Sequence, residues 1–428
     1  MSRRRKPVNF GRVLILLALI GGAVYFNQVI VPETPPLFIP TPTATRAPES
    51  YVTEAEALVQ EGKLPQAIEA YQKAIQVDPK NAASYVVLSR LQIYAGDYAQ
   101  ALINAENALL LNPNNALALA LRGYALGFQG NYLDGEGSLR QAIELEPNNA
   151  IAYAYLAEIL GFQEQNGAGD LGTLDKAIDA SRRAVELDAN LLETHRARGL
   201  IYELTANYAE AAREFEAAIA QNANIADIHL ALGRNYRALE QYDKAVEEFS
   251  RANALNPSDP LPDTYISRTY ATVGEYAKAA QYAEQAIVDA PTDAYLYGNL
   301  GTMYYRNREY DKAIQSLTLA IRGGSAETGE EVVGLPLDYG RIAEYYSVFG
   351  LSLAKNSRCG EALQISQLLI QGVPNDETSI FNADEIVNIC REILNTPQPT
   401  PEGGEETIEP APEATQDPEM LGEATPAP

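Results

Sequence analysis

Few residues in this chain are equipped for catalysis. Its only histidines are His195 and His229, and its only cysteines are Cys359 and Cys390. The stretch 167-GAGDLG-172 is formally G-x-G-x-x-G. A dinucleotide site needs those glycines to follow a buried strand and to open a helix toward a pyrophosphate. No strand precedes them, so a flexible loop is expected. The 57 Asp and Glu residues provide many carboxylate pairs, but acids on solvated helix faces are the ordinary case. Arg234 and Arg237, in 234-RNYR-237, are a different matter. Two guanidinium groups one helical turn apart, in a chain of net charge −25, could pair with carboxylates in the chain or grip an anionic partner.

The bulk composition narrows the classes. Acids outnumber the 32 basic residues, which argues against a phosphate-backbone surface and therefore against nucleic acid. Two cysteines exclude a disulfide framework and a four-thiolate zinc site. Residues 1–12 hold five basic groups and no acid, leaving −30 on the remainder. Residues 13–31 (VLILLALIGGAVYFNQVIV) carry no charge and as a helix would span roughly 28 Å, close to a bilayer core. The positive-inside rule keeps the basic N-terminus in the cytoplasm and places the rest outside, as a single-pass cell-membrane protein. The competing reading is a cleaved signal peptide, with Gly21 and Ala23 as small residues for cleavage. Residues 32–50 contain six prolines and are expected to form an extended linker. Residues 395–428 contain eight prolines, eight acids and no basic residue, the composition of a disordered acidic tail.

Between them the sequence repeats every 34 residues. Pro79, Pro113 and Pro147 keep that interval, as do Tyr208, Tyr242, Tyr276 and Tyr310, and Ala211, Ala245, Ala279 and Ala313. Within each unit two runs of helical apolar spacing are separated by a short turn and closed by proline, which predicts stacked helical hairpins. The two histidines fall at equivalent places in neighbouring units, on helices about 9–10 Å apart. That is too far to share a metal unless both side chains converge. Tyr85, Tyr153 and Tyr297 hold the same slot elsewhere, so packing is the expected role. No Ser-His-Asp or Cys-His arrangement then remains, and no catalytic residue, cofactor or metal is expected.

These units resemble the tetratricopeptide repeat. In the sixth unit its pattern reads Leu232-Gly233, Tyr236, Ala245, Phe249, Ala252 and Pro257, with His229 in the slot the family gives to tryptophan. The resemblance implies an all-α, right-handed superhelical solenoid over residues 51–394. Nine hairpins would begin near residues 48, 82, 116, 150, 192, 226, 260, 294 and 343, with a capping helix after Asp376. Two departures stand out. Gly135 occupies an alanine position, and the fourth unit and the join between the eighth and ninth carry eight and fifteen extra residues, which belong in loops. Cys359 would start the last second helix and Cys390 would lie in the cap. They form either a bridge or two buried thiols, and the bridge is favoured outside the cytoplasm.

On a helical wheel Arg234 and Arg237 point away from Leu232, Gly233 and Tyr236, which pack within the hairpin. In the family that face lines a concave groove where partner segments bind. The same slots hold Arg268, Tyr295 and Tyr305, with Arg306 at the edge, and in units two to four Tyr94, Tyr124, Phe128 and Phe162. The resemblance therefore implies a scaffold for partner proteins, with an apolar groove end and a cationic end for an acidic segment or free carboxylate. Surface ion pairs would equally account for the arginines, with Glu240 and Glu203 as candidates for Arg237. A spacer or self-associating envelope component and an unrecognised enzyme are the alternatives; the oligomeric state is not encoded.

Overall fold

The computed structural model of the protein describes residues 10–30 and 46–395. The first nine residues, the linker up to residue 45 and the acidic tail from residue 396 lie outside the described residues. Helix α1, Phe10–Tyr25, runs on into a π-helical turn, Phe26–Ile30. Its side chains are exposed through Gln28, and Phe10–Gln28 is long and apolar enough to cross a membrane, as a signal sequence near the N-terminus would also be.

The chain divides into two compact units, Met1–Asn256 and Pro257–Pro428. In the first, six helical hairpins follow one another: Pro48–Gln60 with Leu64–Val77 (α2, α3), Ala82–Tyr94 with Tyr98–Leu111 (α4, α5), Ala116–Phe128 with Tyr132–Leu145 (α6, α7), Ala150–Gln165 with Thr173–Leu187 (α8, α9), Leu192–Leu204 with Tyr208–Gln221 (α10, α11), and Ala226–Ala238 with Tyr242–Leu255 (α12, α13). The first helix begins at Pro48, inside the stretch expected to be linker, because proline at a helix start lacks only an N–H that has no intrahelical partner there. The second unit has Pro260–Thr272 with Tyr276–Asp289 (α14, α15), Ala294–Arg306 with Tyr310–Arg322 (α16, α17) and Arg341–Lys355 with Cys359–Gly372 (α18, α19). A last helix, α20, Glu377–Asn395, packs on α19 and α18.

The repeating proline is followed two residues later by the residue that starts the next hairpin. Asn81, Asn115 and Asn149 each accept a hydrogen bond from a backbone N–H of the first turn, and Asp259 and Asp293 do so in the second unit. Each supplies an acceptor for one of the helix's unpaired donors. Alanines form the seams between helices: Ala101, Ala105 and Ala108 are wholly buried on α5, as are Ala211 and Ala218 on α11.

Packing is closest in the third hairpin. A Cβ on Gly135 would stand 2.7 Å from the Gly123 carbonyl oxygen, and one on Gly123 would stand 2.6 Å from that of Gly135. The two helices meet backbone to backbone, which explains why glycine replaces the alanine of the pattern at 135. Gly127 in turn receives Ile159, whose Cδ1 lies where a Cβ would be. The first helices α6, α8 and α10 are thereby drawn into direct contact along the stack.

The extra residues before the ninth hairpin are not a plain loop. Gly324–Ser325 and Glu331–Val332 pair as a short antiparallel hairpin (β1, β2), with Gly324 opposite Val332. Ala326 and Val332 are buried in the core of the second unit, and the Leu335 N–H donates to the Ala320 carbonyl at 2.8 Å. Cys359 and Cys390 are joined by a disulfide, with Cα atoms 5.4 Å apart, so α20 is covalently fixed to α19.

Candidate functional site

In the first unit, much of the surface expected to receive a partner is filled by the chain itself. Tyr94 and Tyr124 are 9% and 1% exposed. Tyr94 donates to Glu193 of α10 at 2.7 Å, and Arg90 donates to the same oxygen at 2.7 Å, across 103 residues of chain. Tyr124 donates to Glu158 at 2.9 Å, and Arg196 of α10 pairs with Glu158 at 2.9 Å while its guanidinium lies 4.9 Å over the Tyr124 ring. Tyr98 reaches still further and donates to Asp227 on α12. Phe128 stacks on Tyr98 with centroids 4.2 Å apart and meets Phe162 edge-on at 4.8 Å. Tyr124 thus faces interior groups, which corrects the expectation that it lines an open groove; Tyr94 keeps an edge on a cleft of about 380 Å³ shared with Val59, Val87 and Leu192, and Phe128 and Phe162 are half-buried.

The acids here are not on solvated faces either. Glu158 and Glu193 are 1% and 0% exposed. Burial pushes the Glu158 carboxyl up to about 7, with the attraction of Arg196 and the Tyr124 hydrogen bond opposing it. At Glu193 burial acts the same way, but the charge of Arg90 and the Tyr94 hydrogen bond outweigh it and hold the group below its ordinary value. The first helices approach one another through Gly127 and Gly161; a Cβ on Gly161 would touch Leu200 at 3.0 Å.

The four arginines fall in two units. Arg234 is held by Glu203 one repeat back, its Nε donating at 2.8 Å and its terminal nitrogen at 3.0 Å. Glu203, a candidate for Arg237, is therefore engaged by Arg234 in a two-point pair. Arg237 is half-buried near the end of α12. In the second unit Arg268 donates to Asn299 at 3.3 Å. Near it Tyr295, 46% exposed, presents its ring edge-on to Tyr345 at 6.5 Å, and the Tyr345 hydroxyl donates to the Tyr295 carbonyl at 3.1 Å. Burial pushes that hydroxyl up to about 12, against the pull of Arg268 and Arg341.

Tyr305 and Arg306 meet in an open cleft of about 500 Å³ whose other walls are α18 and the capping helix. Arg306 is exposed. Around it stand Thr302, Ser347, Ser379 and Asn382, and the Ser347 hydroxyl is buried with no hydrogen-bond partner among the described residues. Glu344 also lines the cleft and is bound to Arg341 at 2.9 Å, while Asp376 accepts the Ser379 N–H at 3.1 Å at the start of the cap. Asn382 and Ser347 carry no sequence signal for this role. They become neighbours of Tyr305 only because α20 folds back over α18.

The other chemical candidates are structural in place. His195 and His229 each bond a glutamate on the second helix of their own hairpin, Glu214 at 2.7 Å and Glu248 at 2.6 Å. Among the described residues no cluster of three or more His, Cys, Asp and Glu side chains could hold a metal. The glycines 167–172 join α8 to α9, with Gly172 left-handed just before Thr173.

Family comparison gives three matches, one described as "TPR repeat" over residues 55–88 and two as "Tetratricopeptide repeat" over residues 226–259 and 266–327. Among solved structures, a tetratricopeptide repeat protein from Parabacteroides merdae ATCC 43184 is 15% identical with a TM-score of 0.38, covering 60% of this chain and 98% of its own. No curated protein matches the sequence. Repeats of this kind mark a scaffold for protein–protein interaction.

Proposed function

We propose, on the premise that the chain is a tetratricopeptide-repeat protein, that it is a non-enzymatic scaffold tethered by its N-terminal helix, and that a partner segment docks on the first-helix side of the second unit. The reading rests on the cleft at Tyr305 and Arg306. An exposed cation among hydroxyl and amide groups, with Glu344 held by Arg341 and Asp376 turned to the Ser379 N–H, suits an extended segment with an acidic residue or a terminal carboxylate. The amide and hydroxyls would bond the backbone, and Arg306 would hold the anion by charge-assisted hydrogen bonds. Tyr295 and Arg268 extend the same surface toward α14. In the first unit Arg234 is already paired and Tyr124 is internal, which leaves the second unit as the better docking surface. Phe10–Gln28 supports the tether, with the basic residues before it in the cytoplasm and the repeats outside.

A photo-crosslinking residue placed at Thr378, an exposed position lining the cleft, in the full chain in its native cells, is expected to trap a discrete partner, and Arg306→Glu is expected to remove that adduct. An adduct of equal yield in Arg306→Glu, or one equally obtained from an exposed position such as Gln285, would defeat the assignment. A reporter enzyme active only outside the cytoplasm, fused after residue 428, is expected to be active. An inactive reporter would reverse the topology.

A further inference from the structure

The hairpin insert of the second unit builds a second pocket, on the side formed by the second helices and away from the Arg306 cleft. Its volume is about 640 Å³. The floor is apolar: Ile287, Leu300 and Leu319 lie in it, and Val288, 70% exposed, stands at the mouth. Two tyrosines form its side. Tyr297 donates to the Pro291 carbonyl at 3.0 Å, and Tyr304 donates to Glu284, so neither hydroxyl is left to attract an anion. The rim is acidic, with Glu284 from α15 on one side and Glu327 from the insert on the other. Glu330 adds to the field: after burial, Glu327 and Glu330 are the charges that raise the Tyr297 hydroxyl. One base, Lys312, is present, but Glu309 neutralises it at 2.6 Å. Lys312 also shows what these rings accept, since its ammonium lies 5.0 Å over the Tyr304 ring.

The insert is tied to the core of the second unit. Its strands pair, Ala326 and Val332 anchor it in the core, and the Tyr346 hydroxyl donates to Leu335 at 3.0 Å. The acids Glu327, Glu330 and Glu331 sit on the exposed tip, and residues 323–340 contain no basic residue. An aliphatic trough ending in aromatic faces and paired carboxylates matches a long basic side chain, whose stem is apolar and whose head is cationic.

We propose that this pocket docks a basic segment of another protein, burying a lysine or arginine side chain along Ile287, Val288 and Leu319 with its charge between Glu284 and Glu327. The site is independent of the Arg306 cleft, so one protein can hold an acidic segment on one side and a basic segment on the other.

The probe is a fluorescein-labelled, end-capped nonapeptide of alternating leucine and arginine, titrated by anisotropy into the full chain in neutral detergent. A leucine–glutamate peptide serves as control. Glu284→Gln/Glu327→Gln is expected to weaken binding on the order of tenfold, as two partly exposed charge contacts allow. Val288→Lys, at an exposed position where folding is not in question, is expected to abolish it. Glu61→Gln, an exposed acid of the first unit, is expected to leave it unchanged. Because the chain is acidic overall, a loss equal to that of Glu61→Gln would mean non-specific attraction and overturn the proposal. Retained affinity in Val288→Lys, equal binding of the glutamate peptide, or no binding by the unaltered protein at millimolar peptide would also overturn it.

Discussion

Replacing Arg196 by methionine isolates the electrostatics of the first unit. Methionine fills similar volume but leaves Glu158, 1% exposed, with only the Tyr124 hydroxyl as partner. Burial already lifts this carboxyl to about 7 from an ordinary value of 4.5 with Arg196 in place, and without the cation it moves higher. A group whose folded pKa lies above its unfolded value contributes stability that is whole below the unfolded pKa and is lost as pH rises toward the folded one. At about 1.4 kcal/mol per unit, holding Glu158 protonated at pH 7.5 costs about 4 kcal/mol, of which the wild type, with its carboxyl at about 7, already bears about 3. At pH 5 the two proteins bear this term equally. Urea unfolding of the full chain, followed by a probe confined to residues 46–256, should therefore show Arg196→Met about 1 kcal/mol more destabilised, relative to wild type, at pH 7.5 than at pH 5. Glu158→Met/Arg196→Met should recover most of the loss. Equal destabilisation at both pH values, or a double variant no better than the single, would refute the account.

Gly135→Ala introduces the residue that the repeat pattern favours, yet its Cβ meets the Gly123 carbonyl oxygen, so a loss of about 1–3 kcal/mol is expected in thermal unfolding. Ala206 occupies a left-handed position, φ 58°, at a turn where Gly62, Gly96 and Gly130 serve other hairpins; Ala206→Gly should raise stability by about 1 kcal/mol. Reducing Cys359–Cys390, which closes a loop of 31 residues, removes about 3–4 kcal/mol by the chain-entropy argument. It should speed hydrogen exchange in Glu377–Asn395 without changing exchange in α2 to α13, and uniform protection would contradict the role given to the bridge.

The 34-residue interval, by itself, determined the hairpins. Proline closes the first three hairpins and the sixth, seventh and ninth, an Asn or Asp two residues on caps the helix that follows, and apolar spacing makes both runs helical, all of which are local rules. Hence eight first helices begin at the expected residue and the ninth begins at Arg341 rather than 343. The uncharged N-terminal run was legible for the same reason. What lines an exposed face was not local. Tyr94 and Tyr124 have the helical-wheel position of groove residues, but whether they meet solvent depends on how closely successive hairpins pack, and Gly127 and Gly161 let Ile159 and Leu200 of the next hairpin come close there. The turn brings Glu193 to Arg90, 103 positions away, and Arg196 to Glu158, 38 positions away, encounters that no helical period contains. The same holds for Arg234, whose partner lies one repeat back, and for the insert, which reads as a loop until its strands pair and Val332 enters the core. Periodicity fixes elements because helices are stabilised by near neighbours; surfaces and buried charges are decided by which distant elements share space.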